Sequence, residues 1–305
     1  MNLPSNPVPA MIELDIYSPV EEIIKPLFIK KGIQVFVKRD DMIHPFISGN
    51  KWRKLKYLLR DSAYLNKDHL VTFGGAYSNH LLATACAGAK FGFKTTGFVR
   101  GEEVKNETLT LCRLFGMQLI FTDRESYRHK NRLFELHFQN NSKAYFIDEG
   151  GAGSLAIMGC SELINELPEV YDDIFCAAGT GTTASGIIKG IMERSLPTKT
   201  HVVPVLKSAE FLRSEIESFS GSYSFEFHTG YHFGGYAKTD DELLNFIKDF
   251  CGTSGMLIEP VYTGKMFYSL FDLISKDHFK PGSKILAIHT GGLSGISGMI
   301  NRFNF

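Results

Sequence analysis

The stretch Leu70-Val71-Thr72-Phe73-Gly74-Gly75-Ala76-Tyr77-Ser78-Asn79-His80 decides the fold of this chain. Four residues suited to a buried strand run into a glycine pair, and Ser-Asn-His then opens a helix of small residues through Gly88. Strand, glycine loop and helix together make half of a crossover unit. Working outward, strands are predicted at 34–38, 95–99, 118–121, 144–147, 174–178, 201–206 and 284–289. Helices are predicted at 107–115, 125–138, 154–167, 184–193, 241–250 and 265–274, with a polar segment over 218–235. Alternation at this spacing implies parallel sheets. The expected architecture is α/β, with two open, twisted, mainly parallel sheets flanked by helices and sharing a cleft.

Composition narrows the function. The 305 residues are 44% hydrophobic, with 33 Lys plus Arg against 33 Asp plus Glu, so no net charge recruits nucleic acid or an anionic membrane. A small molecule is the expected partner. Five scattered cysteines, Cys86, Cys112, Cys160, Cys176 and Cys251, read as reduced core thiols, so no metal site is expected and the setting is read as cytoplasmic. Residues 1–7 lack the pattern of an export signal, and no run of 18 apolar residues suggests a membrane span.

Ser48-Gly49-Asn50-Lys51-Trp52-Arg53-Lys54-Leu55-Lys56-Tyr57 carries the first chemistry. Trp52, Leu55, Leu58 and Leu59 fall on one helical face, which puts Lys51 in the first turn, where the macrodipole disfavours an ammonium. A lysine so placed gives up its proton more readily and attacks aldehydes, pyridoxal phosphate being the common one. A solvated surface lysine is the plain alternative. Before it, Arg39-Asp40-Asp41 at a strand end reads equally as a ligand contact or as a pair that fixes its own loop.

Gly179-Thr180-Gly181-Thr182-Thr183, between a buried strand and a helix, suits a phosphate monoester: glycines let N–H groups converge and hydroxyls donate beside them. A tight structural turn is the competing reading. The Gly-Lys-Ser/Thr ending of a nucleotide P-loop is absent, and the dinucleotide fingerprint is met only loosely, with Ala184 for its last glycine. Ser78, Asn79 and His80 sit where helix N–H groups are open, suiting either a cap or a bound carboxylate. Tyr262, in Glu259-Pro260-Val261-Tyr262-Thr263-Gly264-Lys265, is an acid/base candidate or a packing residue. His289-Thr290-Gly291-Gly292 places a hydroxyl at a strand's carboxyl edge.

Taken together and in order, Ser-Gly-Asn-Lys-x-Arg-Lys-Leu, Gly-Gly-x-x-Ser-Asn-His, Gly-Thr-Gly-Thr-Thr, Pro-Val-Tyr-Thr-Gly-Lys and His-Thr-Gly-Gly resemble the D-cysteine desulfhydrase and 1-aminocyclopropane-1-carboxylate (ACC) deaminase family. These are fold type II pyridoxal phosphate enzymes, similar to tryptophan synthase β, and the resemblance spans about Leu14 to Gly292. It implies pyridoxal 5'-phosphate as cofactor, an active site in an inter-domain cleft, and a homodimer. It also implies a large domain of residues 1–47 and 156–305 with a small one, 48–155, inserted.

By the same resemblance, Lys51 bonds the cofactor aldehyde, Asn79 its ring oxygen and Gly179 to Thr183 its phosphate, with Asn50 and Lys54 nearby and Thr290 at the pyridine nitrogen. Ser78, Asn79 and His80 would grip a substrate carboxylate, and Tyr262, Tyr236 and Thr263 would face the substrate. ACC deaminases carry Glu and Leu where this chain has Thr263 and Thr290, so the sequence looks desulfhydrase-like. A neutral partner leaves the pyridine ring a weaker electron sink, which suits loss of a good leaving group better than opening a cyclopropane. ACC deamination, elimination on another D- or sulfonated amino acid, and a cofactor-binding protein without turnover are the alternatives.

Overall fold

The computed structural model describes residues 12–221 and 223–303. The reading of residues 1–7 lies outside them. In chain order the strands are β1 (Val20–Ile23), β2 (Gln34–Lys38), β3 (His69–Gly75), β4 (Lys94–Arg100), β5 (Gln118–Thr122), β6 (Ala144–Phe146), β7 (Asp173–Ala178), β8 (Lys199–Pro204), β9 (Glu226–Phe227) and β10 (Lys284–Ile288). The α-helices are α1 (Pro26–Lys31), α2 (Asn50–Tyr64), α3 (Asn79–Phe91), α4 (Glu107–Leu114), α5 (Lys130–Phe138), α6 (Ser154–Asn165), α7 (Thr182–Glu193), α8 (Glu210–Ser220), α9 (Asp241–Ser254) and α10 (Thr263–Ser275). No helix among the described residues is long and apolar enough to cross a membrane.

The chain falls into two compact units. In the larger, built from residues 16–44, 48–50 and 157–303, six strands run in the order β1-β2-β10-β7-β8-β9, all parallel except β1, which pairs antiparallel with β2. Its central strands are buried on both faces, which is why they read as continuous apolar runs. Phe175, Val203 and Ala287 point to one side and pack on Leu243, Ile247, Phe267 and Leu270 of α9 and α10. Ile174, Cys176, Val202 and Leu286 point to the other and pack on Leu163, Ile187, Ile188 and Ile216 of α6, α7 and α8.

The smaller unit, residues 12–15, 45–47 and 51–156, holds the parallel sheet β5-β4-β3-β6. Phe73 and Phe98 stack at 5.0 Å across its centre, and Trp52 of α2 stacks on Phe91 of α3 at 5.9 Å. Two mostly parallel, helix-flanked sheets are what the sequence predicts.

Particular elements differ from expectation. Ile12 to Asp15, Pro45 to Ile47 and Ala156 go with the smaller unit instead of the larger, Arg60 of α2 bonding the Ile12 carbonyl (3.2 Å) and the Glu13 carboxylate; residues 48–50 go with the larger. The helix expected over 125–138 is interrupted at His129 (φ −104°, ψ 56°), where a 3-10 turn ends before α5 begins. The strands β1 and β9 and the helices α1 and α8 are additional.

Candidate active site

In the larger unit, four of the chemical motifs converge. The loop from Gly179 leads from β7 into the twelve-residue α7, with Gly181 at φ 71° as the cap residue that turns the backbone into the helix. The hydroxyls of Thr180 and Thr182 meet at 3.1 Å, and Asn50 donates its side-chain amide to the Thr183 hydroxyl at 3.0 Å. Helix N–H groups, hydroxyls and an amide are thus gathered with the positive end of a helix dipole.

Ser48-Gly49-Asn50 lies against Thr290-Gly291. Asn50 N–H donates to the Thr290 carbonyl at 3.2 Å, and Gly49 has φ 59°. His289 fixes this turn by donating from Nε2 to the Leu257 carbonyl (2.7 Å) and accepting at Nδ1 from Gly291 N–H (3.2 Å). Burial lowers the His289 pKa, in keeping with a neutral ring that donates once and accepts once. Thr290 itself is buried at the end of β10.

The Tyr262 ring lies over the loop: a Cβ on Gly179 would fall 2.9 Å from Tyr262 Cε1. Tyr262 donates to the Tyr236 hydroxyl at 3.3 Å, with the two rings edge to face at 5.9 Å. Both tyrosines are held from behind. Glu259, wholly buried, accepts from the backbone N–H groups of Val261 (2.7 Å), Tyr262 (2.8 Å) and Thr263 (2.7 Å). Burial pushes its pKa up, against the pull of those donors. Lys265 donates to the carbonyls of His232 and Gly235, each at 2.8 Å, and so clamps the segment before Tyr236; burial brings its pKa down to about 8.

Thr263 is placed otherwise than expected. It has no exposed surface, and its hydroxyl turns to Glu259, accepting from the Glu259 N–H at 3.0 Å and lying 3.2 Å from the carboxylate. It closes the loop and does not face a substrate. Arg39 likewise takes its plainer reading, forked onto Asp41 (2.9 and 2.8 Å) and onto Glu21 (2.6 Å).

In the smaller unit, α2 begins where the sequence predicts, so Lys51 sits in its first turn. Lys54 is buried and donates to the Gly150 carbonyl at 3.2 Å. Ser78 caps α3, its hydroxyl accepting from Leu81 N–H at 3.3 Å, and Asn79 follows, half-buried. His80 is turned inward, only 2% exposed. Thr72 gives its single hydroxyl proton to the Ile147 carbonyl (2.9 Å), so it accepts from His80 Nε2 (2.8 Å) and leaves Nδ1 an acceptor with no hydrogen-bond partner among the described residues. Burial, then the charges of Lys51 and Lys54, hold the His80 pKa well below its ordinary value. His80 is therefore a neutral residue that packs behind the Lys51 turn, not a cation for a carboxylate.

Glu259, Lys265, His289 and Thr72 are functional supports that sequence reasoning leaves unassigned. The first three stand inside quoted motifs, so an acid or base flanking a tyrosine loop was visible; their partners were not. The gathered donors and the glycine under an aromatic ring fit a phosphate monoester attached to a flat ring, and Lys51 follows Asn50 directly in the chain.

Comparison with known proteins agrees. The pyridoxal-phosphate dependent enzyme family matches residues 22–291. A Thermotoga maritima protein named "Putative 1-aminocyclopropane-1-carboxylate deaminase" is 31% identical over 93% of this chain and 97% of its own. An Arabidopsis thaliana protein, the mitochondrial bifunctional D-cysteine desulfhydrase/1-aminocyclopropane-1-carboxylate deaminase, is 30% identical over 88% and 74%. Among solved structures, an ACC deaminase homologue superposes with a TM-score of 0.87 at 29% identity, covering 95% of this chain and 94% of its own. A fungal L-serine ammonia-lyase from Rhizomucor miehei, at 15% identity and a TM-score of 0.71, shares the fold.

The fold and these matches define a pyridoxal phosphate-dependent enzyme of fold type II. Within that class the chain belongs to the ACC deaminase/D-cysteine desulfhydrase family of lyases and deaminases.

Proposed function

We propose that this enzyme carries out α,β-elimination on a small amino acid, D-cysteine first among them: D-cysteine and water give pyruvate, sulfide and ammonia. The observation that carries this reading is the neutrality of positions 263 and 290. Thr263 spends its hydroxyl on Glu259, and Thr290 offers a buried hydroxyl at the end of β10. Neither supplies the carboxylate that would strengthen a pyridine ring as an electron sink.

When bound, pyridoxal phosphate supplies an electrophilic aldehyde carbon and an electron-withdrawing ring that makes an amino acid's α-proton acidic. Gly179 to Thr183 hold the phosphate with helix N–H groups and hydroxyls, Asn50 ties that loop through Thr183, and Thr290 takes the ring nitrogen. Lys51 would bond the aldehyde and, once released, would take the α-proton, and Asn79 would bond the ring oxygen. Ser78 orients the substrate carboxylate at the start of α3. Tyr262, paired with Tyr236, carries a proton to or from the departing sulfur.

Opening of ACC is the second reading, favoured by the names of the relatives. One experiment separates the two. The purified protein with added pyridoxal phosphate is offered D-cysteine, L-cysteine, D-serine, β-chloro-D-alanine and ACC, and sulfide, pyruvate and 2-oxobutyrate are measured. Sulfide and pyruvate from D-cysteine are expected; dominant 2-oxobutyrate from ACC would overturn the elimination reading.

A further inference from the structure

At the opposite edge of the larger sheet from the Gly179 loop, where β7 and β8 begin, three histidines and two carboxylates gather. His201 of β8 and Glu226 of β9 are register partners in adjacent parallel strands. His228 follows β9, tied by its N–H to the Val202 carbonyl at 2.9 Å, and His278 follows α10, its N–H on the Leu273 carbonyl at 3.1 Å. Asp173, about 17 Å of strand before Ala178, opens β7 beside them. None of these residues belongs to a motif already described.

Their donor atoms point at one another. His201 Nδ1 is 2.9 Å from His228 Nε2 and 3.7 Å from Glu226 Oε2. Glu226 Oε2 is also 3.7 Å from His228 Nε2 and 3.0 Å from His278 Nε2. Lys199 engages the other carboxylate oxygen, Oε1, at 3.3 Å, which leaves Oε2 turned to the imidazoles. Ligands on a tetrahedral zinc ion, at 2.0–2.1 Å from the metal, stand roughly 3.3 Å apart. These four separations bracket that value, and His201, Glu226 and His278 each place a ligand atom within 4.8 Å of the others.

The far side of His201 is arranged as a metal-binding imidazole requires. Asp173 Oδ1 accepts from His201 Nε2 at 2.8 Å, which fixes the tautomer that presents a lone pair at Nδ1. Phe175 covers the His201 ring at 4.4 Å and 5°, and Phe279 meets it at 5.5 Å, so the fully buried ring is held in one orientation. Glu226 and His278, each about one-third exposed, form the side open to solvent.

We propose that His201 Nδ1, His228 Nε2, His278 Nε2 and Glu226 Oε2 bind one divalent transition metal ion of the zinc class. Three imidazoles and one carboxylate suit zinc, cobalt and nickel and are too nitrogen-rich for calcium or magnesium. Such an ion joins β8, β9 and the end of α10, and stabilises the edge of the sheet farthest from the cofactor loop.

The test uses the full, tag-free holoenzyme, stripped with chelator, reloaded with pyridoxal phosphate and titrated with zinc alone, with bound metal counted by mass spectrometry. One zinc per chain is expected, with affinity at least tenfold weaker in His278→Ala and in Glu226→Gln while the cofactor absorbance is unchanged. Cobalt alone gives a readout that needs no variant: intense visible d–d bands of a four-coordinate site. Failure of the wild type to retain zinc, or retention undiminished in both variants, would overturn the proposal and leave the cluster a proton-sharing network.

Discussion

The carbonyl oxygen of Thr290 occupies the place where a side chain on Gly49 would project. Two motifs from opposite ends of the chain are thereby locked backbone to backbone, just ahead of Lys51. Gly49→Ala meets both that carbonyl and the left-handed φ of 59°. The backbone conformation alone costs about 1–2 kcal/mol, and the collision adds to it. Expected are a stability loss of at least about 2 kcal/mol in denaturant titration and a clear fall in cofactor retained through gel filtration.

Glu259 answers three backbone N–H groups that would otherwise be buried without acceptors. Removing it in Glu259→Ala strands them, at about 1–3 kcal/mol each before relaxation. Glu259→Gln keeps one carbonyl oxygen. Stability and kcat should therefore rank wild type, then Gln, then Ala, with cofactor binding less affected than turnover; equal kcat in all three would show that Tyr262 does not depend on this loop.

Lys265 makes stability rise with pH in a definite window. Its pKa falls from 10.5 to about 8 on folding, so between those values the unfolded chain holds more protons than the native one. Below about pH 8 both states are charged and the penalty is constant. The stability of wild type relative to Lys265→Met should increase by on the order of 3 kcal/mol between pH 8 and 10.5, read from urea midpoints; a flat difference would mean that the buried amine keeps its ordinary pKa and titrates alike in the folded and unfolded chains.

Thr263→Glu tests what a carboxylate costs at a position with no exposed surface. Glu259 is its neighbour, so the new carboxyl would be buried beside a carboxyl already there. A loss of about 3–5 kcal/mol is expected, whereas Thr290→Leu, apolar and of modest size, should fold normally and change only the spectrum and rate of the loaded enzyme.

The parts of this design written in local sequence were legible. The start of α2 before Lys51, the cap at Ser78 and the turn at Gly181 each depend on a few adjacent residues, and the strands flanking them announce themselves as apolar runs. Pairings over long separations were not. Nothing near Thr263 in sequence says that its hydroxyl is taken by Glu259 rather than offered outward, and nothing near His80 says that Thr72 will claim its Nε2 proton. The helix α8 was hidden because Leu212 and Ile216 are its buried apolar residues amid Ser and Glu. The two-residue β9 is too short to show a period.

The seating of Tyr262 on Gly179 has a bearing on how such an enzyme changes its diet. A side chain on Gly179 would run into the Tyr262 ring, so any larger residue at 179 would have to displace that ring. Tyr236 is half exposed and touches Tyr262 through its hydroxyl and ring edge. Under the proposed function, variation at 236 is expected to retune preference among amino acids while leaving the cofactor-binding residues untouched.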